Sequence, residues 1–310
     1  MKNSELNAAH LNDETAAQDW YEKQRWPEGI VCIKCGCADN KIYTLGKGKK
    51  TTRRVYLCGV CKEKFSLTKG TIFEDSKIPL HKWFQAAHLL CSSKKGMTSH
   101  QLHRILGITY KSAWYLSHRI RECMARDESQ NSAAFGGQDQ VVEVDETYYG
   151  MRKHRNRKEG KAKNQKVVTL VEREGKVRSY HVDRVNAATV KGLIRKNVQK
   201  DTHVMTDDSN IYGGLWKEYK HDSVNHGNWQ YVKKAKKGST DKIHTNTVEG
   251  FFGTLKRGLV GNYQWVSPTH LHRYIGEFDF RYNNREVTDA ERAAVAVRQA
   301  EGKRLMYHTR

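Results

Sequence analysis

Apolar residues recur every third or fourth position between residues 76 and 126. Leu80, Trp83, Ala87 and Leu90 mark one stripe, and Leu102, Ile105 and Leu106 mark a second, so this stretch is expected to be helical. A shorter helical lead-in runs from Asp13 to Gln24 and closes at Trp26-Pro27. After Gln140 the rhythm changes. Val141 to Val144 reads as a short buried strand ending at Asp145, and residues 166–173 and 177–182 flank a hairpin turn at Glu174-Gly175. Residues 187–198 read as a helix with Asn186 as N-cap, and 202–206 as a strand ending at Asp207. The chain turns helical again from Asn246, and Ser267-Pro268 opens a further helix through Tyr282.

These patterns divide the chain into a helical lead-in (1–30), a cysteine-rich region (31–75), a helical region (76–128), a mixed α/β region (138–285) and a basic helical tail (286–310). The small polar run Ser129 to Gly137 serves as a linker. The expected class is a multidomain α+β protein.

Charge narrows the partners. With 55 Lys+Arg against 34 Asp+Glu, the formal net charge is +21, which draws a polyanion and points first to nucleic acid. The N-terminus has no apolar signal core, and no run approaches the ~18 apolar residues of a membrane span. The expected location is therefore the cytoplasm, associated with the nucleoid in a prokaryote, where thiols stay reduced and seven cysteines suggest metal before disulfide. Cys32-x-x-Cys35 and Cys58-x-x-Cys61 are two knuckles of the kind that hold structural Zn²⁺, separated by enough chain for a three-stranded ribbon. Cys37 is an alternative to Cys35, whereas Cys91 and Cys123 fall on helical patterns as core residues. Lys47, Lys49, Lys50, Arg53 and Arg54 suggest a phosphate-contacting surface on the ribbon.

Residues 98–114 have the layout of a helix-turn-helix. One helix ends at Gly107, Thr109 caps the next, and the second runs on through Trp114, His118, Arg119 and Arg121. Thr109, Tyr110, Lys111 and Ser112 form its start, where a recognition helix presents polar and basic side chains to DNA.

The second half carries candidate chemistry. Asp145 and Asp207 each close a β-rich run, where a sheet edge presents a carboxylate. Glu249 lies on a helix whose residues Asn246, Glu249, Gly253 and Lys256 fall within about 80° of one another. Val248, Phe252, Leu255 and Leu259 form the adjoining apolar stripe. Three acids of this kind suit Mg²⁺, two such ions can drive an in-line phosphoryl transfer, and Lys256 is placed to grip phosphate. Asp208 is the alternative to Asp207, and Glu143 shares the strand face of Asp145. The basic loop 151–163, with Arg152, Lys153, Arg155 and Arg157, is expected to order on DNA.

Asp145-Glu-Thr-Tyr-Tyr-Gly, Thr206-Asp207, His244-Thr-Asn-Thr-Val-Glu249-Gly-Phe-Phe-Gly-Thr-Leu-Lys256-Arg-Gly and Glu277-Phe-Asp-Phe-Arg281-Tyr-Asn-Asn-Arg285 resemble the insertion-sequence transposases that carry an N-terminal zinc ribbon, the ISXO-like group. The resemblance spans about residues 25–285. It implies a ribonuclease H-like catalytic domain with a mixed sheet and an Asp-Asp-Glu or Asp-Asp-Asn triad followed by Lys. It further implies Mg²⁺ or Mn²⁺ dependence and a homo-oligomer acting on double-stranded DNA, namely terminal inverted repeats and target. Carried onto this chain, Asp145 and Asp207 are the first two metal ligands, and Lys256 and its neighbour Arg257 contact DNA. The third ligand is Glu249 or Asn246, with the carboxylate preferred because it binds Mg²⁺ better than an amide. His226 falls near the implied site. Arg281 and Arg285 serve either phosphate contact or salt bridges. Two alternatives use the same residues: a non-catalytic zinc-ribbon regulator and a metal-dependent nuclease that does not join strands.

Overall fold

The computed structural model describes residues 4–38, 41–47, 53–125, 134–150, 164–225, 230, 232–233 and 242–306. The chain forms two units, one of residues 1–125 with 284–310 and the other of residues 126–283.

In the first unit, α1 (Ala9–Asn12) leads into α2 (Glu14–Arg25), whose N-terminus is capped by Asp13 accepting from the Ala16 N–H at 2.7 Å. The cysteine-rich region then builds a three-stranded antiparallel sheet of β1 (Ile42–Lys47), β2 (Arg54–Cys58) and β3 (Lys64–Ser66), in the order β1-β2-β3. The lead-in helix packs on this sheet. Gln18 accepts the Arg54 backbone N–H at 2.9 Å, and Glu22 accepts from the Arg54 guanidinium at 3.2 Å and from the Tyr56 hydroxyl.

These contacts change the expected phosphate surface. Arg53 is buried and donates to Thr68 Oγ1 and to the carbonyls of Phe73, Ser76 and Ile78, each at 2.9 Å. Arg54 is held by Asp19 and Glu22. Both guanidiniums therefore organise the fold. Lys49 and Lys50 lie outside the described residues.

Three helices follow: α3 (Leu80–Ser92), α4 (Ser99–Leu106) and α5 (Tyr110–Met124). A capping box between Thr98 and Gln101 starts α4, and Gly107, at φ 59°, ends it in the left-handed region where glycine is favoured. Thr109 caps α5 by accepting the Ser112 N–H at 3.2 Å. Leu102, Leu106, Ala113 and Leu116 are buried, whereas Ile105 is exposed and does not belong to the core stripe. His118, Arg119 and Arg121 are also buried, so the later turns of α5 are core.

The second unit is built on a five-stranded mixed sheet. Its strands are β4 (Val141–Tyr149), β5 (Gln165–Glu172), β6 (Val177–Val182), β7 (His203–Asp207) and β8 (Lys220–Val224), in the order β6-β5-β4-β7-β8. β6, β5 and β4 are antiparallel neighbours, while β7 and β8 run parallel to β4. The connection from β6 to β7 carries α6 (Ala187–Asn197), capped by Asn186 as expected. Two further helices, α7 (Asn246–Lys256) and α8 (Leu271–Asn283), come after β8.

Strand alternation separates two cores. Val142, Val144, Val168 and Leu170 meet Val190 and Ile194 of α6 on one face of the sheet. Tyr149, Val167, Val171 and Val177 meet Val248, Phe251, Phe252 and Leu255 of α7 and Leu271, Ile275 and Phe278 of α8 on the other. Burying apolar area against both faces is what fixes the register, since a slip of one residue would exchange the two faces.

The edge strand β6 is closed by α8. Asp279 accepts the Ser179 N–H at 2.7 Å and its hydroxyl at 2.8 Å, and Asn283 pairs with the Val177 N–H at 2.7 Å and carbonyl at 3.0 Å. Within α8, Arg281 pairs with the fully buried Glu277, which also accepts from the Tyr263 hydroxyl at 2.7 Å. Arg281 is therefore a structural salt bridge, and Arg285 pairs with its neighbour Glu286. The last segment is more than a tail. After Asn284 the chain rejoins the first unit as α9 (Asp289–Arg298), and Arg292 donates to the Cys91 carbonyl at 3.0 Å. Among the described residues, no helix is long and apolar enough to cross a membrane.

Candidate active site and metal centre

The two Cys-x-x-Cys knuckles fold into matching turns. The Gly36 N–H returns to the Cys32 carbonyl and the Lys62 N–H to the Cys58 carbonyl, both at 2.9 Å. The residue after each second cysteine is left-handed, Gly36 at φ 70° and Lys62 at φ 57°. The sulfurs of Cys32, Cys35, Cys58 and Cys61 all lie within 4.8 Å of one another, with Cys32 to Cys61 at 3.6 Å and Cys35 to Cys58 at 3.7 Å. A tetrahedron with ~2.3 Å Zn–S bonds needs sulfurs about 3.8 Å apart, so this cluster fits a structural zinc. Backbone N–H groups of Cys61 and Val60 pull the Cys58 thiol down to about 6, favouring the thiolate that a metal requires. Cys37 lies outside the cluster, its thiol directed to the Ala38 carbonyl. Cys91 and Cys123 are buried in helices.

The acids gather in the second unit. β4 is longer than the sequence pattern suggests. It runs past Asp145 to Tyr149 because β5 pairs with it over that whole length, with Asp145 opposite Thr169. Its parallel partner β7 pairs with it at Val141, Val142 and Glu143 and ends at Asp207. Extending that register sets Asp207 beside Asp145, on the face covered by α7. Asp145, itself half-buried, thus loses its strand neighbour on one side because β7 ends there, rather than because its own strand ends.

Burial is the main force acting on the Asp145 carboxyl. Desolvation pushes it up to about 7, and the negative charges of Asp207, Glu146 and Glu249 push the same way. The Glu146 N–H, 2.7 Å from Asp145 Oδ1, opposes them. The charges of Asp207 and Glu249, on two other elements, thus act on Asp145, while among the described residues the group whose ligand atoms close to within 4.8 Å of one another is the cysteine one. Asp207 Oδ1 accepts the Ser209 N–H at 3.2 Å, Glu249 Oε1 accepts from the Thr245 hydroxyl at 3.1 Å, and Glu249 is half-buried. Asp208 is exposed just past the end of β7, and Asn246 is exposed at the first turn of α7. Lys256 and Arg257 are exposed at the end of the same helix.

Sequence reasoning missed several neighbours. Glu146 faces the α6 side, where the Tyr212 hydroxyl donates to it at 2.9 Å; burial and Asp207 raise its pKa. Tyr148, half exposed, is close enough to feel both Asp145 and Asp207. Arg173, just past β5, reaches the buried Glu143 at 2.7 Å. The adjacency of Glu146 and Tyr148 to Asp145 in the chain was the available clue; Arg173 and Tyr212 gave none. Carboxylates gathered on one sheet face can hold divalent ions against a phosphodiester.

In the first unit, Thr109, Tyr110 and Lys111 are exposed, and Tyr110 stacks on His100 with centroids 4.3 Å apart. The Thr109 and Ser112 hydroxyls bond each other at 2.9 Å, which ties both to the cap. Arg152, Lys153, Arg155, Arg157 and His226 lie outside the described residues.

Comparison with known proteins agrees with this picture. Residues 137–283 match the model of the ISXO2-like transposase domain. An uncharacterised protein in the transposable element ISH50 of Halobacterium salinarum is 24% identical over 275 residues, covering 83% of this chain and 86% of that protein. Among solved structures, the Mos1 transposase paired-end complex with left transposon end aligns at 12% identity over 71% of this chain and 80% of that one. Its TM-score of 0.22 is too low to bear on the fold. Residues 137–283 thus match an ISXO2-like transposase domain, and this match together with the ISH50 relative supports an insertion-sequence transposase of the Asp-Asp-Glu type.

Proposed function

We propose that this protein cleaves the ends of an insertion sequence and joins them to target DNA by two-metal phosphoryl transfer, at a site made by Asp145, Asp207 and Glu249. The observation that carries the proposal is the parallel register of β4 and β7, which on extension sets Asp207 beside Asp145 on the face covered by α7; burial chiefly, with the charges of Asp207, Glu146 and Glu249 added, raises Asp145 there to about 7. The strand order β6-β5-β4-β7-β8, with α6 on one face and α7 and α8 on the other, is the arrangement expected of a ribonuclease H-like domain.

Divalent ions, when bound, offset the charge of the carboxylates and of the phosphate under attack. The protein's part is to hold the acids at fixed spacing and the DNA in line. In the first step water attacks the phosphorus at the element end and the P–O3′ bond breaks, leaving a 3′-hydroxyl. In the second, that hydroxyl attacks a target phosphodiester, whose own 3′ oxygen leaves. Lys256 and Arg257 suit phosphate contact, and Glu249 is preferred over Asn246 as third ligand because its charge reaches Asp145.

The four-cysteine ribbon and the α4–α5 pair supply DNA binding in this reading, with Tyr110 and Lys111 at the exposed start of α5. The basic loop carrying Arg152, Lys153, Arg155 and Arg157 joins them, in keeping with the +21 charge. Incubating protein, Mg²⁺ and labelled end DNA with a target plasmid tests the whole. Cleavage with joined product supports it, cleavage alone indicates a nuclease, and neither indicates a regulator.

A further inference from the structure

We infer that Glu143 is a positioning residue: it caps the helix that carries Glu249 and so sets how tightly the acidic site holds divalent metal. The inference rests on the proposed role of Asp145, Asp207 and Glu249 and adds a residue that acts through one of them.

Glu143 is completely buried beneath α7, a costly place for a carboxylate without partners. It has a full set. Arg173 Nε donates to it at 2.7 Å, the Thr247 N–H at 2.8 Å, the Thr247 hydroxyl at 2.9 Å and the Val248 N–H at 3.0 Å. The His244 ring lies 3.1 Å away. Thr247 and Val248 belong to the first turn of α7, whose N–H groups have no partner within the helix. The N-cap Thr245 makes no side-chain cap there; its hydroxyl donates to Glu249. The sheet therefore caps the helix from below, and the negative charge lies at the positive end of the helix dipole.

Arg173 completes the clamp. Its other nitrogens donate to the carbonyls of Lys242 and His244 at 2.9 Å and approach Met205 Sδ at 3.0 Å. Glu143 and Asp145 lie two residues apart on one strand face, and Glu249 follows Val248 directly. One fixed cap thus fixes the spacing between the strand acids and the helix acid. Metal affinity depends steeply on such spacing, because Mg²⁺ tolerates little departure from its preferred geometry.

The test measures Mn²⁺ binding to the zinc-loaded full chain without DNA, by electron paramagnetic resonance of free Mn²⁺, with end cleavage followed in parallel. Glu143→Gln should raise the Mn²⁺ midpoint at least about 10-fold. Thr247→Val, which removes one donor and keeps the backbone N–H, should raise it about 2- to 3-fold. DNA binding in Ca²⁺ and zinc content should stay at wild-type levels in both. Wild-type Mn²⁺ midpoints in the folded variants overturn the inference, and if Glu143→Gln does not fold, Thr247→Val alone decides it. Asp145→Asn run alongside separates the two layers. If it titrates like wild type, the acidic-site reading falls; if it loses Mn²⁺ while both clamp variants keep it, only the clamp falls.

Discussion

The cysteine cluster and the acidic cluster both gather like-charged ligands, yet they differ in how completely each is satisfied. Four sulfurs within 4.8 Å of one another fill a tetrahedron, and short turns from two nearby knuckles build it. The acids come from β4, β7 and α7, and the register of β4 with β7 is what brings the first two together. A closed thiolate set stabilises a fold, whereas an open carboxylate set leaves coordination positions for a substrate. The first is built to be full, the second to remain available.

The harshest way to break that contrast is to remove a zinc ligand. Cys32→Ser or Cys58→Ser should lose stoichiometric zinc, measured by atomic absorption, and with it much of the roughly 10 kcal/mol that structural zinc contributes. Cys37→Ser should keep zinc; if it does not, the cluster is misassigned. Next comes Asp145→Asn or Asp207→Asn, expected to cut both cleavage and joining by at least about 10³-fold while DNA retention on a gel persists. Asn246→Ala should cost far less than Glu249→Gln, and the reverse order would move the third ligand to Asn246.

A third experiment turns on the sign of the Asp145 shift. The folded value, about 7, lies above the ordinary 3.8, so the native state holds the proton more tightly than the unfolded one. Without divalent metal, stability should therefore fall as pH rises from about 4 to about 7. Asp145→Asn should stabilise the fold at pH 8 by at most about 4 kcal/mol on this shift, seen as a higher melting temperature, with the gain shrinking toward pH 4. A lower melting temperature at pH 8 would contradict the repulsion. The smallest effect sharpens the other side of the comparison. Lys62 occupies the left-handed position that Gly36 fills in the first knuckle, so Lys62→Gly should stabilise the ribbon by up to about 1 kcal/mol in chemical denaturation.

The same contrast governs how much could be read in advance. The knuckles were legible because zinc ligands come as local pairs, and the helices α3 to α6 because their caps and apolar stripes are local as well. The polar edge strand β8, Lys-His-Asp-Ser-Val, went unread since an edge strand needs little apolar patterning. The placing of Asp145 was read only in part. A strand end was expected, whereas β4 runs on to Tyr149 and it is β7 that stops short, a fact of pairing that no local pattern records. Arg53 and Arg54 read as phosphate contacts because charge alone does not reveal a buried partner. The long motif from Glu277 to Asn283 signalled the family, although Glu277, Asp279, Arg281 and Asn283 all hold structure.

That last motif has a consequence for assembly. With Asp279 and Asn283 occupying the outward amide groups of β6, this border of the sheet offers no template for a strand from another molecule. Any self-association would have to use other surfaces. A chain truncated before Leu271 would uncover the border and favour intermolecular strand pairing, so the final helix of the second unit also protects against aggregation.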